Sequence, residues 1–130
     1  MSQLTCIVVT PEETALEREA DFLALPLFDG EAGIAPDHSP LIGRLGFGEM
    51  RIRQGDDVER FYVDGGFVQV RNNVVSVLTN RSIPAAEVDA DQAREQLEQA
   101  IQRKANTPEL MDVRDRLISQ ARGQLWVSRS

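Results

Sequence analysis

Apolar and β-branched side chains fill Leu4 to Thr10, a short run closed by Pro11, and Leu16 to Leu27 alternates loosely before an Asp29-Gly30 turn. Between Asp29 and Gly48 the chain holds Gly30, Gly33, Pro36, Pro40, Gly43, Gly46 and Gly48. So many breakers predict turns and brief strands at one end of a sheet. Glu49 to Arg53 alternates charge with Met50 and Ile52, Gln54-Gly55-Asp56-Asp57 turns the chain, and Val58 to Val63 returns as a hairpin partner. Phe67 to Val70 and Val74 to Leu78 flank Arg71-Asn72-Asn73, whose asparagines tolerate the left-handed conformation of a tight turn. Gly65-Gly66, between strands, reads as a bulge or a close backbone approach. Several short strands with regular turns imply two packed sheets or a flattened barrel.

At Pro84 the apolar period changes from two to about 3.6, and only Gly123 interrupts an otherwise glycine-free remainder. Asp89 is placed to cap a first helix, with Gln92 reaching back as a variant capping box. Ala93, Leu97, Ala100 and Ile101 fall on one face. Asn106-Thr107-Pro108 puts a cap before a proline at the first helical position, so a second helix starts there, with Leu110, Val113, Leu117, Ala121 and Leu125 as its stripe. The two helices, of roughly 16 and 19 residues, form an antiparallel hairpin, each about 25 to 30 Å long. The narrow, alanine-containing stripe of the first helix predicts docking worth only a few kcal/mol at about 25 cal/mol per Å², so the hairpin is expected to be detachable.

Charge changes this picture in one respect. The 130 residues carry 21 acidic and 14 basic side chains, a net charge of -7 that opposes nucleic-acid partners. The excess is uneven: residues 1–84 hold 13 acids and 7 bases, net -6, and residues 85–130 hold 8 and 7, net -1. Arginine makes up all but one of the bases, a bias that suits carboxylate pairing across protein interfaces. No apolar run approaches the roughly 18 residues of a membrane span, and residues 1–10 lack a secretory or transit signal.

Candidate chemistry is thin. Asp37-His38-Ser39 contains a triad's residue types, but neighbours on an extended chain point apart, and His38 reads as loop architecture. One histidine and one cysteine build no transition-metal site, and no acid spacing resembles a Ca²⁺ loop. Gly43 to Gly48 lacks the Lys-Ser/Thr of a phosphate loop. Cys6, within an apolar run, reads as a buried small hydrophobe. The residues alone describe a β-sandwich protein-binding module with a regulatory helix pair. A free-standing adaptor remains open at this point.

Val9-Thr10-Pro11-Glu12, Leu25-Pro26 and Gly30-Glu31-Ala32-Gly33-Ile34-Ala35-Pro36-Asp37-His38-Ser39-Pro40-Leu41-Ile42 closely resemble the amino-terminal signature of the ATP synthase epsilon family. Tyr62-Val63-Asp64-Gly65-Gly66-Phe67-Val68-Gln69-Val70, followed by Val74 to Leu78, resembles its second signature. The resemblance implies an α+β chain: a sandwich of about ten strands over residues 1–84, then the antiparallel helical hairpin over 85–130. It implies a non-catalytic central-stalk subunit of a proton-translocating rotary synthase, peripheral at the cytoplasmic face of the bacterial inner membrane and without direct membrane insertion. Its partners would be the gamma subunit, the membrane c-ring and, through an extended hairpin that inhibits hydrolysis, the catalytic alpha/beta hexamer. Glu31, with Asp29, Gly30, Gly33 and His38, would form the ring-contact surface, and Arg114, Arg116 and Arg122 would meet gamma or the catalytic subunits. Val88-Asp89-Ala90-Asp91-Gln92-Ala93 matches an I-D-x-x-R-A segment that binds ATP in some members, with Gln92 in place of the arginine. Losing that charged donor weakens ATP binding, so Asp89 is read as a helix cap, and no cofactor or metal is expected.

Overall fold

The computed structural model describes residues 3–129. Eight strands form one continuous, doubled-over sheet: β1 (Leu4–Val9), β2 (Thr14–Ala20), β3 (Phe22–Leu27), β4 (Gly30–Ile34), β5 (Leu41–Gln54), β6 (Asp57–Arg71), β7 (Val74–Leu78) and β8 (Ser82–Pro84). Their order is β2-β1-β7-β6-β5-β3-β4, with β8 beside β6. All neighbours are antiparallel except β1 and β7. A single 3₁₀ turn (Ala85–Glu87) leads to α1 (Ala90–Ile101) and α2 (Pro108–Val127).

The sheet becomes a sandwich because the β5–β6 ribbon belongs to both layers. One half of β6 pairs with β8 and the other with β7, while β5 follows it throughout, from Gln54 opposite Asp57 to Leu41 opposite Val70. Core-facing positions in β6 are Phe61 and Val63 before the double glycine and Val68 and Val70 after it, so strand alternation resets there. Gly65 and Gly66 have φ of +69° and +106°, and a Cβ on Gly66 would lie 1.8 Å from the Leu78 carbonyl oxygen. The pairing register is unchanged across the site, so it is a close backbone approach with no inserted residue rather than a bulge. Divided at this crossing, β5 and β6 each count twice, which reconciles the eight strands with the ten that the resemblance implies.

Other departures from the sequence reading share this cause. Leu41 to Gly48, expected as part of a breaker-rich stretch of turns and brief strands, is the first half of the long β5, held extended by pairing with β6. The segments expected as Val58–Val63 and Phe67–Val70 are one strand. The Leu16–Leu27 run is two strands parted at Asp21, whose carboxylate accepts from the Gly55 amide at 2.6 Å. Asn72 and Asn73, at φ of +52° and +63°, make the expected left-handed turn. Between the layers lie Leu4, Cys6 and Val8 of β1, Leu23 and Leu25 of β3, Met50 and Ile52 of β5, and Val75 and Val77 of β7. Burial there pushes the Cys6 thiol up to about 12, which leaves it inert as a nucleophile.

Both helices start at the expected caps. The Asp89 carboxylate accepts from the Gln92 backbone amide at 3.1 Å, and the Thr107 hydroxyl accepts from that of Leu110 at 3.2 Å. Among the described residues Gln92 makes no reciprocal side-chain bond to Asp89, so the capping box is half formed. The helices have 12 and 20 residues, so the first is shorter than its pattern predicts, and Ile101 is exposed at its end.

Candidate functional site: the polar seam beneath α2

The expected apolar docking of α1 is not what joins helices to sandwich. α1 packs on α2, and α2 lies across β5 and β6. It covers their outward face, where Phe47, Glu49 and Arg51 of β5 stand opposite Asp64, Tyr62 and Arg60 of β6. The apolar side chains α2 buries are small, Ala121 and Val127. Gly123 sets the approach: a Cβ there would fall 2.5 Å from the Phe47 carbonyl oxygen and 3.1 Å from the Tyr62 ring.

Polar contacts dominate this seam. Glu49, 4% exposed, accepts from Arg60 at 2.7 and 3.1 Å, from Arg129 at 2.6 Å and from Arg51 at 3.2 Å. Burial alone would raise its pKa, but the bonds from Arg129, Arg60 and Arg51 outweigh burial and lower it to about 2. Arg60 also donates to the Val127 carbonyl at 2.9 Å, and Arg129 to that of Trp126 at 2.7 Å, so two guanidiniums satisfy the negative end of α2. Arg129 stacks on the Trp126 ring, 3.9 Å from its centroid. Further along, Asp64, 5% exposed, accepts from the Tyr62 hydroxyl at 2.6 Å and from the Gln120 amide at 3.2 Å. Burial, reinforced by the Asp64 carboxylate, keeps the Tyr62 phenol protonated well beyond its ordinary range.

The residues singled out from sequence lie elsewhere. Glu31 sits in β4 with its carboxylate 2.8 Å from Arg51, while Asp29 lies in the exposed turn before β4 and Gly30 is the strand's exposed first residue. Gly33 backs onto the Phe22 ring, and His38 follows β4 in a turn, its Nδ1 2.7 Å from the Ser39 carbonyl oxygen. No hydrogen bond among the described residues joins the Asp29–Glu31 turn to His38. Arg114 is half-buried with Asp115 at 3.5 Å, whereas Arg116 and Arg122 are exposed. At about 100° per residue these three spread around α2 rather than forming one patch. A cavity of about 300 Å³ between the helices and Arg81 is lined by Gln96, Gln99, Arg103, Gln120 and Gln124, with Asp89 and Gln92 outside its lining.

Sequence reasoning missed Glu49, Asp64, Arg60, Gln120 and Arg129. Alternation marks Glu49 and Asp64 as outward-facing, but nothing local says that a helix distant in sequence will roof them. Gly123 was legible, as the lone glycine in an otherwise glycine-free helical stretch.

An apolar face completes the geometry. Phe28, Ile42, Phe67 and Leu78 are exposed, Ile42 at 78%, and the Arg44 guanidinium lies 4.2 Å from the Phe28 ring centroid. Phe67 and Leu78 also edge a cleft of about 980 Å³ reaching Arg116 and Leu117 of α2.

The family model described as "ATP synthase, Delta/Epsilon chain, beta-sandwich domain" matches residues 3–85. The chain belongs to that family. A Rhodopirellula baltica protein named ATP synthase epsilon chain is 49% identical over 126 residues, 97% of this chain and 98% of its own length. A Rubrobacter xylanophilus protein of the same name is 34% identical over 85% of this chain and 75% of its own. In fold, the chain is similar to one from Euglena gracilis mitochondrial ATP synthase, described as OSCP/F1/c-ring, with a TM-score of 0.85 at 18% identity, covering 95% of this chain and 79% of that one. A chain of the Tetrahymena thermophila mitochondrial ATP synthase central stalk and c-ring has a TM-score of 0.77 at 17% identity, covering 97% and 96%. The α+β architecture of sandwich followed by two helices is thus the family's fold.

Proposed function

We propose that this chain is the epsilon subunit of a proton-translocating rotary ATP synthase, a non-catalytic central-stalk part that couples gamma to the membrane c-ring and restrains ATP hydrolysis through its C-terminal helices. Similarity to an epsilon chain over nearly the full length of both proteins supports the stalk role. The observation that carries the regulatory role is the seam: apart from the Tyr62 ring, α2 rests on the sandwich through charged and small side chains, outside the continuous apolar core, so release exposes mainly groups that water solvates well.

In this reading the docked hairpin described here is the permissive state, and release sends Arg114, Arg116 and Arg122 toward acidic surfaces of the alpha/beta hexamer. Gamma docks on the exposed Phe28–Ile42–Phe67–Leu78 face, whose apolar character suits a protein interface. The Asp29–Gly30–Glu31 turn, with Gly33 and His38, faces the polar loops of the ring. Likeness to epsilon chains supports a peripheral position at the cytoplasmic face of the bacterial inner membrane; among the described residues no helix is long and apolar enough to cross a membrane. Gln92 in place of the arginine of the ATP-binding segment leaves Asp89 a cap and argues against ATP as a strong regulatory ligand.

The test is reconstitution of the catalytic sector and gamma with the full chain or with one ending at Pro84. The shortened chain is expected to retain gamma binding and to release hydrolysis from inhibition. Equal hydrolysis rates with both chains would remove the regulatory role, and failure of the full chain to bind gamma would remove the stalk role.

A further inference from the structure

The charges at the seam continue past it. Arg51 donates to Glu49 at 3.2 Å and, with its other amino group, to Glu31 at 2.8 Å. A line of alternating charge therefore runs Glu31, Arg51, Glu49, Arg129, from the β4 edge across the sheet to the residue just past the C-cap of α2, with Arg60 braced against Glu49 on the β6 side. Three guanidiniums share two carboxylates, so the cluster already lacks negative charge.

We propose that this ion-pair line couples the β4 edge to helix docking: withdrawing the charge of Glu31 loosens the hold of Glu49 on Arg129 and frees the C-terminal end of α2. Two effects act in the same direction. Without Glu31, Arg51 turns fully to Glu49, and it approaches the same Oε1 that the second Arg129 amino group reaches at 3.4 Å. The net charge around Arg129 also becomes more positive, which repels its guanidinium. The shortest bond Arg51 makes is to Glu31, 2.8 Å against 3.2 Å to Glu49, so Arg51 is the link that Glu31 directs. The biological meaning rests on the proposed placement of Glu31 at the ring: a partner group that takes up the Glu31 carboxylate would signal to the hairpin through the sandwich. This adds to the bare detachability of the helices a defined input that shifts the docking equilibrium.

The coupling is testable in the isolated chain, independently of any synthase, by amide hydrogen exchange of residues 121–127 against the amides of β1 and β7 as a fold control. Arg129→Gln and Glu49→Gln are expected to speed α2 exchange roughly tenfold, the scale of a charge-assisted bond. Glu31→Gln is expected to speed it about threefold, the scale of a half-exposed ion pair. In an Arg51→Gln background the Glu31→Gln effect should shrink to the small part carried by direct charge repulsion, with β1 and β7 unchanged throughout. Unaltered exchange in Glu31→Gln, an equal Glu31→Gln effect with and without Arg51, or unaltered exchange in Arg129→Gln would each overturn the proposal. A truncation that fails to relieve hydrolysis would instead count against the inhibitory role and leave this result untouched.

Discussion

At Glu49 a strand position that alternation assigns to solvent is roofed by α2 and ringed by Arg51, Arg60 and Arg129. Its pKa of about 2 lies below the roughly 4.3 of a free glutamate, so its contribution to stability is complete above the unfolded value and is lost as pH falls toward 2. The shift corresponds to about 3 kcal/mol. Chemical denaturation of the wild-type chain between roughly pH 6 and roughly pH 2.5 should therefore show a larger loss of stability than Glu49→Gln, by about 2 kcal/mol, the remainder being lost only below the folded value. Equal losses would mean that the cage does not hold the carboxylate. The sequence displayed the outward orientation of Glu49 and the caps at Asp89 and Thr107, because these depend on neighbours within a few residues. The cage was hidden because Arg129 joins it from 80 positions away, and the partner of Glu31, Arg51, lies 20 positions away on another strand.

Elements were legible where local chemistry decides them, and obscure where pairing does. The β6–β7 turn at Asn72-Asn73 and the start of α2 at Thr107-Pro108 are local, and both stand where the pattern put them. The glycine-rich first half of β5 looks like a loop in isolation; its partner β6 makes it a strand. Gly66 shows the stakes of that crossing, since any side chain meets the Leu78 carbonyl from an unfavourable φ. Gly66→Ala is expected to destabilise the sandwich by about 4 kcal/mol or more, read as a lower urea midpoint at unchanged slope. The hairpin, by contrast, sits outside the main core, whose clustered residues all lie between Leu4 and Val77. A chain ending at Pro84 should therefore retain cooperative urea unfolding, and a noncooperative melt would show that the helices are structurally required.

For the molecule as a whole, the proposed function makes docking of α2 and inhibition of hydrolysis opposed states of one equilibrium, and Gly123 is the place to bias it. Gly123→Ala improves helix propensity by about 1 kcal/mol, so α2 itself is strengthened. The same methyl group clashes with the Phe47 carbonyl, so docking on the sandwich is weakened. The most direct measurement is the ATP hydrolysis rate of the reconstituted catalytic sector and gamma carrying either the wild-type chain or Gly123→Ala. The account predicts slower hydrolysis with Gly123→Ala, because more hairpins are free to extend. A rate equal to wild type, or raised toward that of the chain ending at Pro84, would contradict it.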